Sequence, residues 1–576
     1  MRTPMLVAAV AVTTALGTTL SGAVASAAPT APTLTPTRYV VLGADGATPA
    51  ATAAAVTAAG GRVVGGTPAI GVVTAESTAP GFAAAVRARP GIAGAAPDRP
   101  IGHVPSLAPE KADPVNAEPL AAARAAAATA TGPTAAKPAP PPAGAEPLAS
   151  LQWDMRMVKA DQAHPTSIGA KKVLVGIIDS GIDASNPDLA PNLDLERSRN
   201  FAIDVPAVDG PCEYAGCVDP VGVDDNGHGT HVAGIVAAAL NGVGTAGVAP
   251  GVTLVEVRGG QDSGFVFLNP VLSALTYSAD IGIDVVNMSF YVDPWLFNCR
   301  SNPADSPEAQ AEQQAIIIAM TRAMDYAHGK GVTQVVSLGN EHKDLGNPGV
   351  DATSPDYPVT VPPLAYPRTI DNADCLSLPI EGPHTIGVSS LGPSGRKSDF
   401  SNHGLEQISV SAPGGWFRDG FGTPTYRTDG NQVLSTYPRA RLQAQGRVDA
   451  AGNVVPGFEN SVFKSCNADG VCGYYAYLQG TSMAAPHATG VAALIVSRYG
   501  SKVPGGLTMD PDRVEQILTR SAAQQACPAA GFETYLNEGR DASWDAPCVG
   551  TPAFNSLYGH GIVDALAVVT GPFGRE

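Results

Sequence analysis

Lys172-Val173-Leu174-Val175-Gly176-Ile177-Ile178-Asp179-Ser180-Gly181 is the stretch whose reading decides the fold. Val173 to Ile178 is a continuous apolar run, the pattern of a strand covered on both faces, and it ends on a carboxylate. Similar runs are Val252 to Val257, Ile283 to Met288 and Val332 to Leu338, with helical patterns between them at about 228–240, 270–280 and 311–328. This alternation predicts an α/β unit over 151–576: a parallel sheet flanked by helices on both faces. In open sheets of that kind, functional groups gather at the carboxyl ends of the strands.

The chain before Leu151 is built differently. Of 576 residues, 35 are Lys or Arg and 52 Asp or Glu, a net charge of −17. Residues 1–150 carry 9 basic and 7 acidic side chains, the remainder 26 and 45. With 44 % apolar and 15 % charged residues, a highly charged disordered chain is excluded. The acidic balance argues against nucleic acid or anionic membrane as a partner. Arg2 is the only charge in the first 37 residues; an apolar stretch from Met5 to about Leu20 and Ala25-Ser26-Ala27 follow. This reads as a secretory signal peptide over 1–27, cut after Ala27 or Ala28. An uncleaved anchor is the rival, but threonines and Gly17 dilute the run below about 20 strongly apolar residues. The mature product is expected to be secreted, extracellular and free of the membrane.

Residues 37–104 read as a small α+β unit. It has strands at Arg38–Leu42, Arg62–Val64 and Ile70–Val73, and helices at Thr48–Gly60 and Gly81–Arg89. Residues 106–150 hold 17 Ala and 9 Pro, so 105–150 is expected to be an extended, exposed linker. All eight cysteines follow residue 150, and an even count in an exported chain points to disulfides. Closeness favours Cys212–Cys217, Cys466–Cys472 and Cys527–Cys548, leaving Cys299 with Cys375. Zinc is the alternative, but no CxxC pair occurs.

Four polar residues sit where the chemistry is expected. Asp179 ends the first strand, His228 and Ser482 each open a helix, and Asn340 follows the strand Val332–Leu338. A serine hydroxyl becomes a useful nucleophile when an imidazole takes its proton and a carboxylate holds that imidazole in one tautomer. The oxyanion then needs fixed donors, which Asn340 and the Ser482 N–H could supply. Taken singly, Asp179 is a cap or turn former, Ser482 an N-cap and Asn340 a turn residue, while His228 with His231 could be a metal pair. Their joint occurrence favours acyl transfer.

The strings Asp179-Ser180-Gly181-Ile182-Asp183, His228-Gly229-Thr230-His231-Val232-Ala233-Gly234 and Gly480-Thr481-Ser482-Met483-Ala484-Ala485-Pro486-His487 resemble the three catalytic motifs of the subtilisin-like serine proteases, in that family's order. Further matching segments are Gly247-Val248-Ala249-Pro250, Asn287-Met288-Ser289, Phe400-Ser401-Asn402, Ser411-Ala412-Pro413-Gly414 and Tyr558–Ala565. The resemblance implies a secreted endopeptidase made as a zymogen, acting on peptides or proteins. Asp179 would be the orienting carboxylate, His228 the base, Ser482 the nucleophile and Asn340 the oxyanion donor. Ser289 and Gly339 would face substrate, and His231 and His487 would be structural. Residues 37–104 resemble the family's inhibitory propeptide, a partner of the catalytic unit until it is cut away.

There are departures. The family often has Ser-Leu-Gly-Gly lining the pocket before the scissile bond; this chain has Ser289-Phe290-Tyr291-Val292. Segments 259–269, 293–312, 342–380 and 414–478 exceed a compact member, and loops that long shape a cleft, decorate a surface or are disordered. No cofactor is required and no catalytic metal is expected. Members of that family often bind a structural calcium between the position of Asp188 and the loop after the His helix; the alternative is that Asp188 caps or pairs locally. That loop, Leu240–Thr245, carries few side-chain oxygens for an ion that takes about six to eight. Three functions compete: a broad or dedicated endopeptidase, a peptide-binding pseudoenzyme, and a hydrolase with a metal on His228 and His231. The three-residue offset of that pair is not HExxH.

Overall fold

The computed structural model describes residues 36–98, 100–103, 146–291, 294–356 and 364–574. The signal-peptide reading and the linker reading as far as Ala145 lie outside these residues. The last five residues of the expected linker, Glu146–Ser150, are docked rather than extended: Leu148 N–H donates to Gly244 O at 2.7 Å and Glu146 is buried.

The N-terminal unit is a four-stranded antiparallel sheet of β1 (Thr37–Gly43), β2 (Arg62–Thr67), β3 (Val72–Ser77) and β4 (Ile92–Pro97), in the order β2-β3-β1-β4. Helices α1 (Pro49–Ala58) and α2 (Phe82–Arg87) cover one face, enclosing Val41, Val56, Val73, Phe82 and Val86. Thr48 caps α1 by accepting from Ala51 N–H at 3.2 Å, with Pro49 following where no N–H is needed. The other face puts Val40, Leu42, Val72 and Ala96 against the main unit. Strand β1 is thus buried on both faces, which is why its apolar run does not alternate. The sequence reading missed β4, whose Ala- and Gly-rich composition has little strand propensity. Pairing with β1 overrides it. A short strand, β5 (Pro100–His103), then leaves the sheet and pairs antiparallel with Phe265–Phe267 of the main unit.

The main unit is the expected parallel sheet. Strands β6 (Leu174–Ile178), β7 (Thr253–Arg258), β8 (Val285–Met288), β9 (Thr333–Ser337), β10 (Thr385–Leu391) and β11 (Val410–Pro413) run in the order β11-β10-β9-β8-β6-β7, with Arg199–Asn200 beyond β7. One face packs on α3 (His228–Ala237), α6 (Thr481–Tyr499) and α7 (Pro511–Ser521); α4 (Leu268–Asp280) and α5 (Pro307–Gly329) cover the other. Order reverses around β6, which lies between β8 and β7, so the carboxyl ends of β6 and β8 open the crevice where such sheets bind ligands.

The long segments are folded. Asn298–Cys299 pairs with Cys375–Leu376 under a disulfide, and Val350–Asp351 pairs with Arg368–Thr369. Residues 433–478 form a three-stranded antiparallel sheet against α3. All four disulfides join the cysteines that proximity suggested. Where the segments 294–305 and 350–376 meet, Arg368 is fully buried. It donates to Asp351 at 2.7 Å, Asp305 at 3.2 Å and Phe297 O at 2.9 Å, and stacks on Trp295. Removing it strands two buried carboxylates. Arg368→Ala is expected to lower unfolding free energy by about 3–5 kcal/mol in urea titration; a loss under about 1 kcal/mol contradicts that role.

Candidate active site

Asp179 is the first residue past β6, and its main-chain carbonyl is held by Gly259 and Gly260 N–H groups at 3.0 and 3.1 Å. Its carboxylate oxygens lie 2.8 and 3.0 Å from His228 Nδ1, and Oδ1 also accepts Ser180 N–H at 2.8 Å. Both side chains are buried, at 0 and 1 % exposure, so neither can trade this bond for water. A carboxylate on Nδ1 selects the tautomer whose Nε2 is free to accept a proton. Nε2 is buried and has no hydrogen-bond partner.

His228 opens α3, and its position is fixed by a residue that sequence reasoning passed over. Asp224 Oδ2 accepts Thr230 N–H at 2.9 Å and Thr230 Oγ1 at 2.6 Å, while Oδ1 accepts Gly227 N–H at 2.8 Å. Asp224 Oδ1 also accepts Ser180 Oγ at 3.0 Å, and that hydroxyl accepts Gly229 N–H at 3.0 Å. A carboxylate at the positive end of α3 is stabilising there and ties the helix start to the β6 end. The approach is so close that a Cβ on Gly229 would sit 2.2 Å from Gly181 O. The sequence signal was available: an Asp six residues before a Thr in the first turn of a helix.

Ser482 is the second residue of α6, which packs against α3. Its hydroxyl donates to Ser289 O at 3.2 Å. Ser289 follows β8 at the same level as Asp179 follows β6, because Ile178 pairs with Met288. The Ser289 hydroxyl is spent on the scaffold, donating to Ser482 O at 2.9 Å and accepting from Asn287 Nδ2 at 2.8 Å. Gly339 N–H donates to Thr481 Oγ1 at 3.1 Å. Asn340 Oδ1 accepts both Thr481 N–H and Thr481 Oγ1 at 2.9 Å, which commits its oxygen and turns its Nδ2 to the role of donor. The structure thus gathers Asp179, His228, Ser289, Gly339, Asn340 and Ser482 at one end of the sheet.

The other histidines of the motifs are structural. His231 Nε2 lies 3.1 Å from both Val433 O and Ala476 O, and burial lowers its pKa to about 3. His487 bridges Met483 O at 2.8 Å and Asp154 at 3.1 Å. Among the described residues, no group of three metal-ligating side chains includes His228, His231 or His487.

Beside Asn340 lies a cavity of about 320 Å³ lined by Tyr291, Glu341, Phe400, Trp416 and Gly480. Tyr291 thus walls the space next to the site at a position where the resemblance expects glycine. A separate cavity of about 340 Å³ is lined by Asp209, Glu213, Asp225 and Asp262. Burial and the neighbouring carboxylates Asp219 and Asp224 raise the Asp225 pKa.

Asp188 tests the calcium expectation. Its Oδ2 accepts Thr245 N–H at 3.0 Å and the Tyr475 hydroxyl at 2.8 Å. Burial, with Glu146 nearby, raises its pKa to about 7, and burial also raises that of Glu146. Asp188 Oδ1, Glu146 Oε2 and Thr245 Oγ1 are all buried without a partner. Two confined carboxylates and a hydroxyl, all with uncommitted oxygens, fit a hard cation. Sequence reasoning left out Glu146 because it fell in the Ala/Pro-rich stretch.

Comparison with known proteins addresses the family and the fold. The chain is 27 % identical to subtilisin DY of Bacillus licheniformis over 350 residues, covering 61 % of this chain and 86 % of that protein. It is 27 % identical to thermitase of Thermoactinomyces vulgaris over 369 residues, 64 % of this chain and 90 % of thermitase. Against subtilisin E of Bacillus subtilis the match, 26 % identical over 350 residues and 61 % of this chain, spans 62 % of that protein's length. The crystal structure of the epidermin leader peptide processing serine protease from Staphylococcus aureus shares the fold. Its TM-score is 0.60 at 19 % identity, over 93 % of this chain and 98 % of that one. The profile of the subtilase family matches residues 170–561, more than half of the chain. With that match laid over the strand-end cluster, the chain belongs to the subtilase family of serine proteases.

Proposed function

We propose that this chain is a secreted serine endopeptidase made as a zymogen, with Asp179, His228 and Ser482 as its triad and Asn340 in its oxyanion hole. The observation that carries the reading is the buried His228 ring, bonded through Nδ1 to Asp179 and uncommitted at Nε2, in a helix that packs on the one bearing Ser482. In this reading the Ser482 hydroxyl, held by Ser289 O at 3.2 Å, turns from that carbonyl to Nε2 for attack. The oxygen then attacks the scissile carbonyl carbon while His228 takes the proton. Asn340 Nδ2 and the Ser482 N–H stabilise the oxyanion, and the α6 N-terminus adds its positive potential. His228 returns the proton to the leaving amine, Ser482 stays acylated, and a water activated by the same imidazole releases the acid.

The small N-terminal unit is read as the inhibitory propeptide. Its support is physical: β5 adds its backbone to Phe265–Phe267 as an extended peptide adds to a sheet edge. The unit is also fastened to the two helices behind that edge. Arg322 of α5 donates to Gly43 O at 2.9 Å and Asp45 at 2.7 Å, and Asp98 accepts Asn269 N–H of α4 at 3.1 Å. Export rests on the N-terminal sequence, and no helix among the described residues is long and apolar enough to cross a membrane. Calcium would be held by Glu146, Asp188 and Thr245. Its chemistry there is neutralisation of buried charge, remote from bond cleavage.

A phosphonyl fluoride is expected to add once, on the peptide containing Ser482, and to abolish peptidase activity; labelling elsewhere with full loss of activity contradicts the assignment. Asn340→Ala is expected to lower kcat on the order of 10²–10³-fold with little change in KM, a magnitude that comes from subtilisin itself. Tyr291→Gly is expected to shift preference toward larger side chains before the scissile bond in a peptide-library cleavage profile. An unchanged profile removes Tyr291 from the pocket wall. Calcium is expected to raise the Tm of the wild type over that in chelator and to leave Asp188→Asn unmoved; equal responses contradict the calcium assignment.

A further inference from the structure

A second cluster of chemically competent side chains lies where the end of α5, the turn before β10 and the start of α7 meet. His328 is in the last turn of α5, His384 immediately precedes β10, and Asp512 is in the first turn of α7. One ligand atom from each of the three falls within 4.8 Å of the others. The imidazoles of His328 and His384 stack with ring centres 3.7 Å apart and planes 9° apart. His328 Nε2 lies 2.9 Å from Asp512 Oδ1, and His384 Nε2 lies 3.3 Å from Asp325 Oδ1. His384 has φ +61°, a left-handed backbone at a non-glycine residue, in the turn that carries its ring over His328.

Core packing does not require this arrangement. The side chains of Asp512, Asp325 and His384 are 75, 54 and 37 % exposed. Ion pairs that exposed contribute little to stability, so two imidazoles and two carboxylates from three distant segments are not assembled for the fold's sake. Two ring nitrogens with one or two carboxylate oxygens form the donor set of zinc and its neighbours in the transition series. Calcium and magnesium take oxygen and are disfavoured by imidazole.

We propose that His328, His384 and Asp512 form a binding site for a zinc-class divalent cation, one of the two stacked rings turning so that both nitrogens face the ion; Asp325 lies 3.3 Å from His384 Nε2. The cluster is on helix α5, away from the proposed triad, and the proposal does not depend on how peptide cleavage is assigned. Bound metal would tie three segments that the chain brings together from far apart. It would also hold the helix that carries Arg322, for Arg322, Asp325 and Tyr326 line a cleft of about 470 Å³ against Asp45 and Pro68 of the small unit. A ligand that binds the folded chain alone raises its thermal stability by mass action.

The test uses the full chain carrying Ser482→Ala, so that it stays in one piece, freed of metal by chelator and titrated with zinc chloride by calorimetry. One saturable zinc per chain is expected. His328→Ala or His384→Ala should each raise Kd by at least about tenfold, and the double variant should lose binding. Zinc should raise the Tm of the parent and leave that of the double variant unmoved. The metal-free Tm should be alike in both, since the removed side chains are partly exposed. Absence of saturable binding to the parent would overturn the proposal. So would binding by the double variant with the parent's affinity, or displacement of the zinc by calcium, which would place it at Glu146 and Asp188.

Discussion

One carboxylate facing one imidazole in a space closed to water is the constraint on which the rest of the site depends. Asp179 and His228 come from different elements, a strand end and a helix start, and neither can be buried alone without a large penalty. Everything adjacent serves their meeting. Asp224 fixes the start of α3, Ser180 stitches Asp224 to Gly229, and Gly229 has no side chain because Gly181 O occupies its place. The parallel sheet supplies the register, setting Ser289 beside Asp179 so that the start of α6 closes over both. The geometry of the site is a consequence of packing and hydrogen bonding that also hold the sheet together.

The additions to that frame have two characters. Some are tied down: the segments 294–305 and 350–376 are joined by a buried arginine and a disulfide, and the 433–478 sheet takes the ring of His231 between two carbonyls. Others line cavities: Tyr291 walls the one beside Asn340, and carboxylates of the 205–225 loop line a separate acidic one. The small N-terminal unit combines both, with a hydrophobic face against α4 and α5 and a strand laid on the edge beside the cleft. The face that buries Val40 and Leu42 thus belongs to the same unit that delivers β5 to that edge.

Much of this was legible in the sequence, for reasons that differ by residue. Apolar runs without alternation marked β6 to β9 because buried parallel strands have no polar face. Asp179, His228, Asn340 and Ser482 stood out because each follows a strand or opens a helix, where side chains are not consumed by the core. What was illegible depended on partners far along the chain. The roles of Asp224 and the Ser289 hydroxyl appear only when α3 and α6 are docked. Glu146 was hidden in alanine and proline, and its burial is set by Gly242 N–H in a loop nearly a hundred residues on. Strand β4 lacks propensity and exists because β1 offers an edge. His328, His384 and Asp512 have no spacing that could announce them, since three separate elements bring them together.

The central claim, that Ser482 acts as nucleophile on the chain's own precursor as well as on other peptides, is tested most directly by intact mass against time. Purified precursor of the wild type would be followed beside Ser482→Ala at several dilutions. The account predicts that the wild type alone sheds an N-terminal fragment containing the 37–103 unit, at a rate independent of dilution, while Ser482→Ala stays whole. Equal cleavage of the two forms, or a wild type that stays intact and shows no peptidase activity, would contradict it.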